Sequence, residues 1–151
     1  MKRKALFLLF YCYTLFANAA NMYVTTSGDD THDGTAWESS KSSIQAAIDA
    51  SSVGDTVFIA EGIYNQSIKV KDGVHVFGGY DAFTGNRDYE VYSTIIDGTG
   101  LGKAIVNQGS SFKNPTYFDG LVLQNANHSS NGGAVILKAN GILNNCTIND
   151  C

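Results

Sequence analysis

Apolar residues in this chain fall into short runs, and only one of them has helical spacing. Ser42 to Ser51 (SSIQAAIDAS) puts Ile44, Ala47 and Ile48 on one face, which predicts an amphipathic helix of about ten residues. Ser42 and Gln45 have the spacing of a capping box, in which the serine oxygen takes an orphan amide and the glutamine reaches back. A helix this short is marginal alone in water, so it is expected to dock on something.

The rest reads as strands. TVFIA starts at Thr56, SIKV at Ser67, VHVFGG at Val74, STIID at Ser93, KAIVN at Lys103, DGLVLQN at Asp119, AVILK at Ala134 and NNCTIND at Asn144. Each run is bounded by Gly, Asn or Asp, the usual turn residues. Within them polarity alternates: Val74 and Val76 point one way and His75 the other. No helical pattern lies between the runs, although parallel pairing of successive strands normally needs a helical crossover. A solenoid avoids that need, because each coil returns to the next level by turns alone.

A weak internal repeat supports this. Asp119–Asn125 aligns with Asn144–Asp150 at an offset of 25 residues, with Leu121 and Leu123 over Cys146 and Ile148. Asp72–Val76 has the same shape two coils earlier, and Ile95-Ile96 falls about halfway between. The expected fold is all-β: a right-handed parallel β-helix of about four coils over 56–151. Residues 20–55 supply a first strand, a loop and a capping α-helix that covers the apolar end.

Composition agrees. Sixteen glycines and a single proline fit many tight turns, and Val, Ile, Leu and Phe are strand vocabulary. Residues 1–19 read differently: Lys2, Arg3 and Lys4, then an apolar run from Ala5 to Phe16, then Ala17-Asn18-Ala19. That is the layout of a secretory signal peptide, and the run is too short to span a bilayer comfortably. A secreted or cell-surface location follows, with no membrane span once the signal is removed. Removal leaves seven basic against fourteen acidic residues, a balance near −7. Such a surface argues against nucleic acid as a partner. Two cysteines remain, Cys146 and Cys151, too few for a disulfide framework.

Several segments together resemble a family. YVTTSGDDTHDGTAW, SIQAAIDASSVGDTVFIAEGIYNQSI, FDGLVLQNA and GGAVILKANGILNNCTI are similar to the N-terminal part of secreted right-handed parallel β-helix proteins. These belong to the pectin-lyase-like superfamily, which includes polymorphic outer-membrane-protein-like repeats. The resemblance covers the chain from Tyr23 onward and implies a right-handed solenoid with a helix on its N-terminal end. It does not carry a function, because the superfamily hosts lyases, hydrolases and adhesins.

Signs of chemistry are sparse. The Gly-His-Gly and Arg-x-Lys of the family's hydrolases are absent. Asp97 and Asp119 fall on successive coils, each beside a glycine as turn residues are. The loop Ser27–Trp37 (SGDDTHDGTAW) gathers Asp29, Asp30, His32 and Asp33. Asp29, Thr31, Asp33 and Gly34 partly fit a Ca²⁺ loop, but the twelfth position is Ser40, not a bidentate acid. Asp29, Asp30 and Asp33 are thus the candidate metal ligands, and no other cofactor is expected. The simpler expectation is a turn that seals the solenoid, with Trp37 packed at the cap.

An insertion of some fifteen residues between two coils is the better binding candidate. It offers Tyr80, Asp81, Arg87, Tyr89 and Tyr92, together with Phe83, and aromatic faces beside polar groups suit sugar rings. Two functions remain. One is a non-catalytic structural, adhesin-like or glycan-binding β-helix whose partner is a polysaccharide or a host or cell-surface glycan. The other is the N-terminal piece of a polysaccharide lyase or glycoside hydrolase with its active site in later coils. The chain stops at Cys151, just after a strand-like segment. Further coils, or a second copy paired end to end, are expected beyond it.

Overall fold

In the computed structural model, residues 19–102, 105–108, 110–127 and 133–151 are described. Among them lie twelve strands, one α-helix and a short 3-10 turn at Trp37–Ser39. Every strand pairing is parallel, and the strands form three sheets.

The first sheet runs in the order β1 (Asn21–Val24), β2 (Thr56–Ala60), β5 (His75–Tyr80), β8 (Thr116–Asp119) and β11 (Gly141–Asn144). The second contains β3 (Gly62–Tyr64), β6 (Thr94–Asp97), β9 (Leu121–Gln124) and β12 (Thr147–Asn149). The third contains β4 (Ile68–Lys69), β7 (Val106–Asn107) and β10 (Val135–Ile136). From β2 onward the chain visits the first, second and third sheets in rotation. Parallel neighbours are therefore joined by strands of the other sheets, and no helix is needed between them.

Register makes the core. Met22, Val57, Val76, Phe118 and Leu143 are successive partners across the first sheet. Val57, Val76 and Phe118 are wholly buried. Tyr64, Ile96, Leu123 and Ile148 do the same in the second sheet, and Ile68, Val106 and Val135 in the third. These columns meet in one hydrophobic cluster, except at Ile148, which was expected to point inward but is 50% exposed on the last described strand. Burying a large aliphatic or aromatic side chain contributes about 1.5–3 kcal/mol, so these columns dominate the fold's stability.

The helix α1 (Ile44–Ala50) turns Ile44, Ala47 and Ile48 into that cluster and packs on β1, β2 and β4. Its N-cap is Ser43, not the expected Ser42: Ser43 Oγ accepts from the Ala46 amide at 3.1 Å. Gln45 does not reach back to close a capping box. Its Oε1 accepts from the Lys69 amide at 2.7 Å and its Nε2 donates to the Lys69 carbonyl, tying the helix to β4.

The 25-residue offset holds within the aligned segments, where Asp119 pairs with Asn144 and Leu123 with Ile148, and it extends back to Thr116 and Gly141. The earlier alignment does not. Val76 pairs with Phe118 in the first sheet, whereas Leu121 begins β9 in the second. Ile95 lies directly beside Val122, one circuit away. The strands β8 and β11 were not expected. The reason is local: Asp119-Gly120 and Asn144-Asn145 read as the starts of runs, but Gly120, at φ +68°, is the corner between β8 and β9, and Asn145, at φ +47°, begins the corner between β11 and β12.

The expected signal segment, residues 1–19, lies outside the described residues except for Ala19. Lys103, the expected start of one strand, also lies outside them. Among the described residues no helix is long and apolar enough to cross a membrane. Cys146 and Cys151 are free thiols; Cys146 packs partly buried against the core and Cys151 is exposed.

Candidate binding face

The aspartates of the opening loop spend their oxygens on the chain itself. Asp29 Oδ1 accepts from the amide and hydroxyl of Thr31, both at 2.8 Å. Asp33 Oδ1 accepts from the amide and hydroxyl of Thr35 and from Ser39 Oγ at 2.7 Å. Asp30 accepts the Ser42 and Ser43 amides and the Ser43 hydroxyl, at 2.8–2.9 Å. It therefore anchors the residues that start α1. Backbone bonds to Thr31 and Thr35 hold the carboxyls of Asp29 and Asp33 below the usual range. At Asp30 burial pushes upward, but the serine hydrogen bonds outweigh it and its pKa also falls.

Across the loop, Lys41 Nζ donates to the carbonyls of Asp30 and His32, and the Tyr23 amide donates to the Gly34 carbonyl. The loop is thereby folded onto the edge strand β1. Its product is the placement of Trp37. That ring was expected at the cap and is found elsewhere. It lies edge-on to Tyr23 at 4.7 Å and 5.7 Å from Tyr80, on the outer face of the first sheet.

There it joins an aromatic surface. Outward positions alternate with the buried column, and register puts Tyr23, Phe58 and Phe77 in one row. Ring centroids are 5.6 Å apart from Tyr23 to Phe58 and 6.3 Å from Phe58 to Phe77. Tyr80 sits 5.0 Å from Phe58. A second row sets His75 5.3 Å from Tyr117. Burial lowers the pKa of His75, and its Nδ1 accepts the Tyr117 amide, so the neutral ring suits this face. All these side chains are half-buried.

The insertion between β5 and β6, residues 81–93, borders this surface. Tyr80 is the last residue of β5 and bridges antiparallel to Arg87. Asp81 caps the turn, taking the Phe83 amide and the Thr84 hydroxyl, and those bonds depress its pKa. Arg87 is the clamp. Its Nε donates to the Gly78 carbonyl at 3.0 Å and its guanidinium pairs with Asp119 at the end of β8. The same guanidinium lies 5.3 Å from the ring centre of Phe77, 5.6 Å from Tyr80 and 5.8 Å from Tyr89. Asp119 passes the link on, accepting from Asn145 Nδ2 at 3.1 Å.

Two glycines make this closure possible. A Cβ on Gly79 (φ +86°) would come within 2.6 Å of Tyr89 Cα, and one on Gly120 within 2.9 Å of Arg87 and Tyr89 atoms. Tyr89 is thus seated against the corner between β8 and β9. Tyr92 is half-buried, and its amide bonds to the Asp88 carbonyl. Phe83 is 95% exposed and, with Trp37, Glu38 and Ala82, borders a hollow of about 440 Å³.

Of the residues marked in the sequence, Tyr80, Arg87 and Tyr89 come together, whereas Asp81 and Tyr92 hold the loop's own turns. Tyr23, Phe58, Phe77, His75 and Tyr117 were missed. The signal was an aromatic side chain at outward positions of alternating strands. Asp97 is at the end of β6, in a different sheet from Asp119. Its carboxyl accepts from Thr99, Gln124 and Asn125, which hold it far below the usual range, suited to an acceptor and not to a proton donor. Among the described residues no three His, Cys, Asp or Glu side chains gather as a metal site.

Compared with family models, curated proteins and solved structures, the chain finds no match.

Proposed function

We propose that the protein is a secreted or cell-surface right-handed parallel β-helix of the pectin-lyase-like kind, with an adhesin-like role that holds carbohydrate on the outer face of its first sheet. Three sheets visited in rotation by parallel strands support the solenoid reading. Parallel crossovers within one sheet are right-handed in about 98% of cases. The helix α1 contributes its apolar face to the core beside β1 and β2 and acts as the N-terminal cap.

One observation carries the binding role: seven half-buried rings on one sheet face, Tyr23, Trp37, Phe58, His75, Phe77, Tyr80 and Tyr117, with the fully presented Phe83 at their border. A sugar's C–H face packs on such rings while its hydroxyls bond nearby groups. Structural packing alone accounts for rings that touch each other; it does not account for a phenylalanine left 95% exposed beside Trp37.

The test is retention on insoluble or gel-embedded polysaccharides. Wild-type protein is expected to be retained. Phe83→Ala is expected to weaken retention about fivefold, the loss of a single aromatic contact. It should do so without moving the thermal midpoint. Equal passage of both proteins through every matrix would reject the proposal.

A further inference from the structure

The loop 81–93 has a second side. Away from the aromatic rows, a hollow of about 540 Å³ opens between the loop and the corner where β9 and β12 begin. Tyr89, Glu90, Ser93, Asn145 and Thr147 line it. Its size lies in the range of small-ligand sites, about 300–1,000 Å³.

The chemistry of this wall differs from the sheet face. Tyr89 supplies an aromatic ring, 39% exposed. Among the described residues, the side-chain oxygens of Glu90, Ser93 and Thr147 make no hydrogen bond to another protein group. Asn145 donates through Nδ2 to Asp119, leaving its Oδ1 without a partner there. One ring, one carboxylate, two hydroxyls and an amide carbonyl therefore face one cavity with their capacity unspent.

The wall is also held. Gly79 and Gly120 admit the Tyr89 backbone and Cβ at distances no side chain would allow. Arg87, bonded to Gly78 and paired with Asp119, fixes the loop from beneath. Groups fixed before binding lose less entropy when a ligand arrives.

We infer that this hollow is a saccharide subsite for an uncharged, hydroxyl-rich pyranose unit of the glycan, an inference that rests on the glycan-binding reading above. The sugar ring stacks on Tyr89. Its hydroxyls donate to Glu90 and to Asn145 Oδ1 and exchange bonds with Ser93 and Thr147. Charge sets the selectivity. Glu90 has no cationic partner among the described residues, the Arg87 charge is answered by Asp119, and the whole chain is net acidic at −4. A uronate entering here meets uncompensated negative charge, whereas a neutral hydroxyl gains a charge-assisted hydrogen bond.

Calorimetric titration with neutral gluco-, xylo- and manno-oligosaccharides and with an oligogalacturonate tests this. The wild type is expected to bind at least one neutral series and to bind it more tightly than the oligogalacturonate. Glu90→Gln and Thr147→Val are each expected to weaken neutral binding roughly five- to fiftyfold, the effect of removing one polar contact. Glu90→Gln should also narrow the gap to the oligogalacturonate. Both side chains hold no other described group, so both variants should keep the wild-type thermal midpoint even if Tyr89→Ala fails to fold. Neutral binding that Phe83→Ala weakens but Glu90→Gln and Thr147→Val leave unchanged would overturn the subsite and spare the aromatic face. Preference for the oligogalacturonate would also overturn the subsite. No binding of any glycan would overturn both.

Discussion

Asp30 and Arg87 do the most for their size. Asp30 collects three donors from Ser42 and Ser43 and so fixes the start of α1. Asp30→Ala should cost about 1–2 kcal/mol in denaturant unfolding, in line with losing a helix-start acceptor. Asp29→Ala, which frees only a Thr31 turn, should cost less, and neither effect should depend on added Ca²⁺. The depressed carboxyls of Asp29, Asp30, Asp33, Asp81 and Asp97 share one consequence. Each is ionised more readily in the folded than in the unfolded chain, so its contribution is complete above the ordinary aspartate pKa of about 3.9. It is lost as pH falls through the lower folded values. Thermal midpoints should therefore hold near neutrality and drop steadily below about pH 4. A flat profile down to pH 2 would show that these bonds contribute nothing. At Arg87, lysine cannot replace the fork that spans Gly78, Asp119 and three rings. Arg87→Lys should loosen the loop 81–93, read as faster proteolysis within it, while the strands persist.

At the scale of elements, the loop 81–93 and the corner at Gly120 depend on one another. Gly120→Ala should displace Tyr89 and Arg87 together, because the added Cβ meets both within 2.9 Å. Its mark would be a shift of the Tyr89 ring resonances with little change in strand content. The sequence disclosed some elements and hid others for physical reasons. The helix was legible because Ile44, Ala47 and Ile48 have helical spacing, and β5 because Val74, His75 and Val76 alternate. The cap was misplaced by one residue because Ser42 and Ser43 are both serines; the distant Asp30 holds both amides, but only the Ser43 hydroxyl. The strand β8 was hidden because the corner glycine Gly120 sits inside what looked like a single run, and β11 because Asn145, at φ +47°, makes the matching corner inside the run that starts at Asn144. The aromatic face was illegible for another reason. Tyr23, Phe58 and Phe77 are far apart in the chain and become neighbours only through the register of β1, β2 and β5.

Across the whole molecule, stability follows the inward columns. Phe118 is fully buried between Val76 and Leu143, and Phe118→Ala should cost about 3–5 kcal/mol. Amide exchange should rank the strands: slowest in β2, β5, β6, β8 and β9, which have four or more residues and parallel neighbours on both sides, and faster in the two-residue strands β4, β7 and β10. This rigid body carries the aromatic face, where carbohydrate binding is proposed. Trp37 is the sole tryptophan and lies in that face, so its fluorescence reports directly on it. Titration with neutral oligosaccharides should change its emission saturably, with half-saturation about fivefold higher in Phe83→Ala. Emission that stays constant for every sugar up to about 10 mM, beyond the weakest useful affinities, would contradict carbohydrate binding at this face.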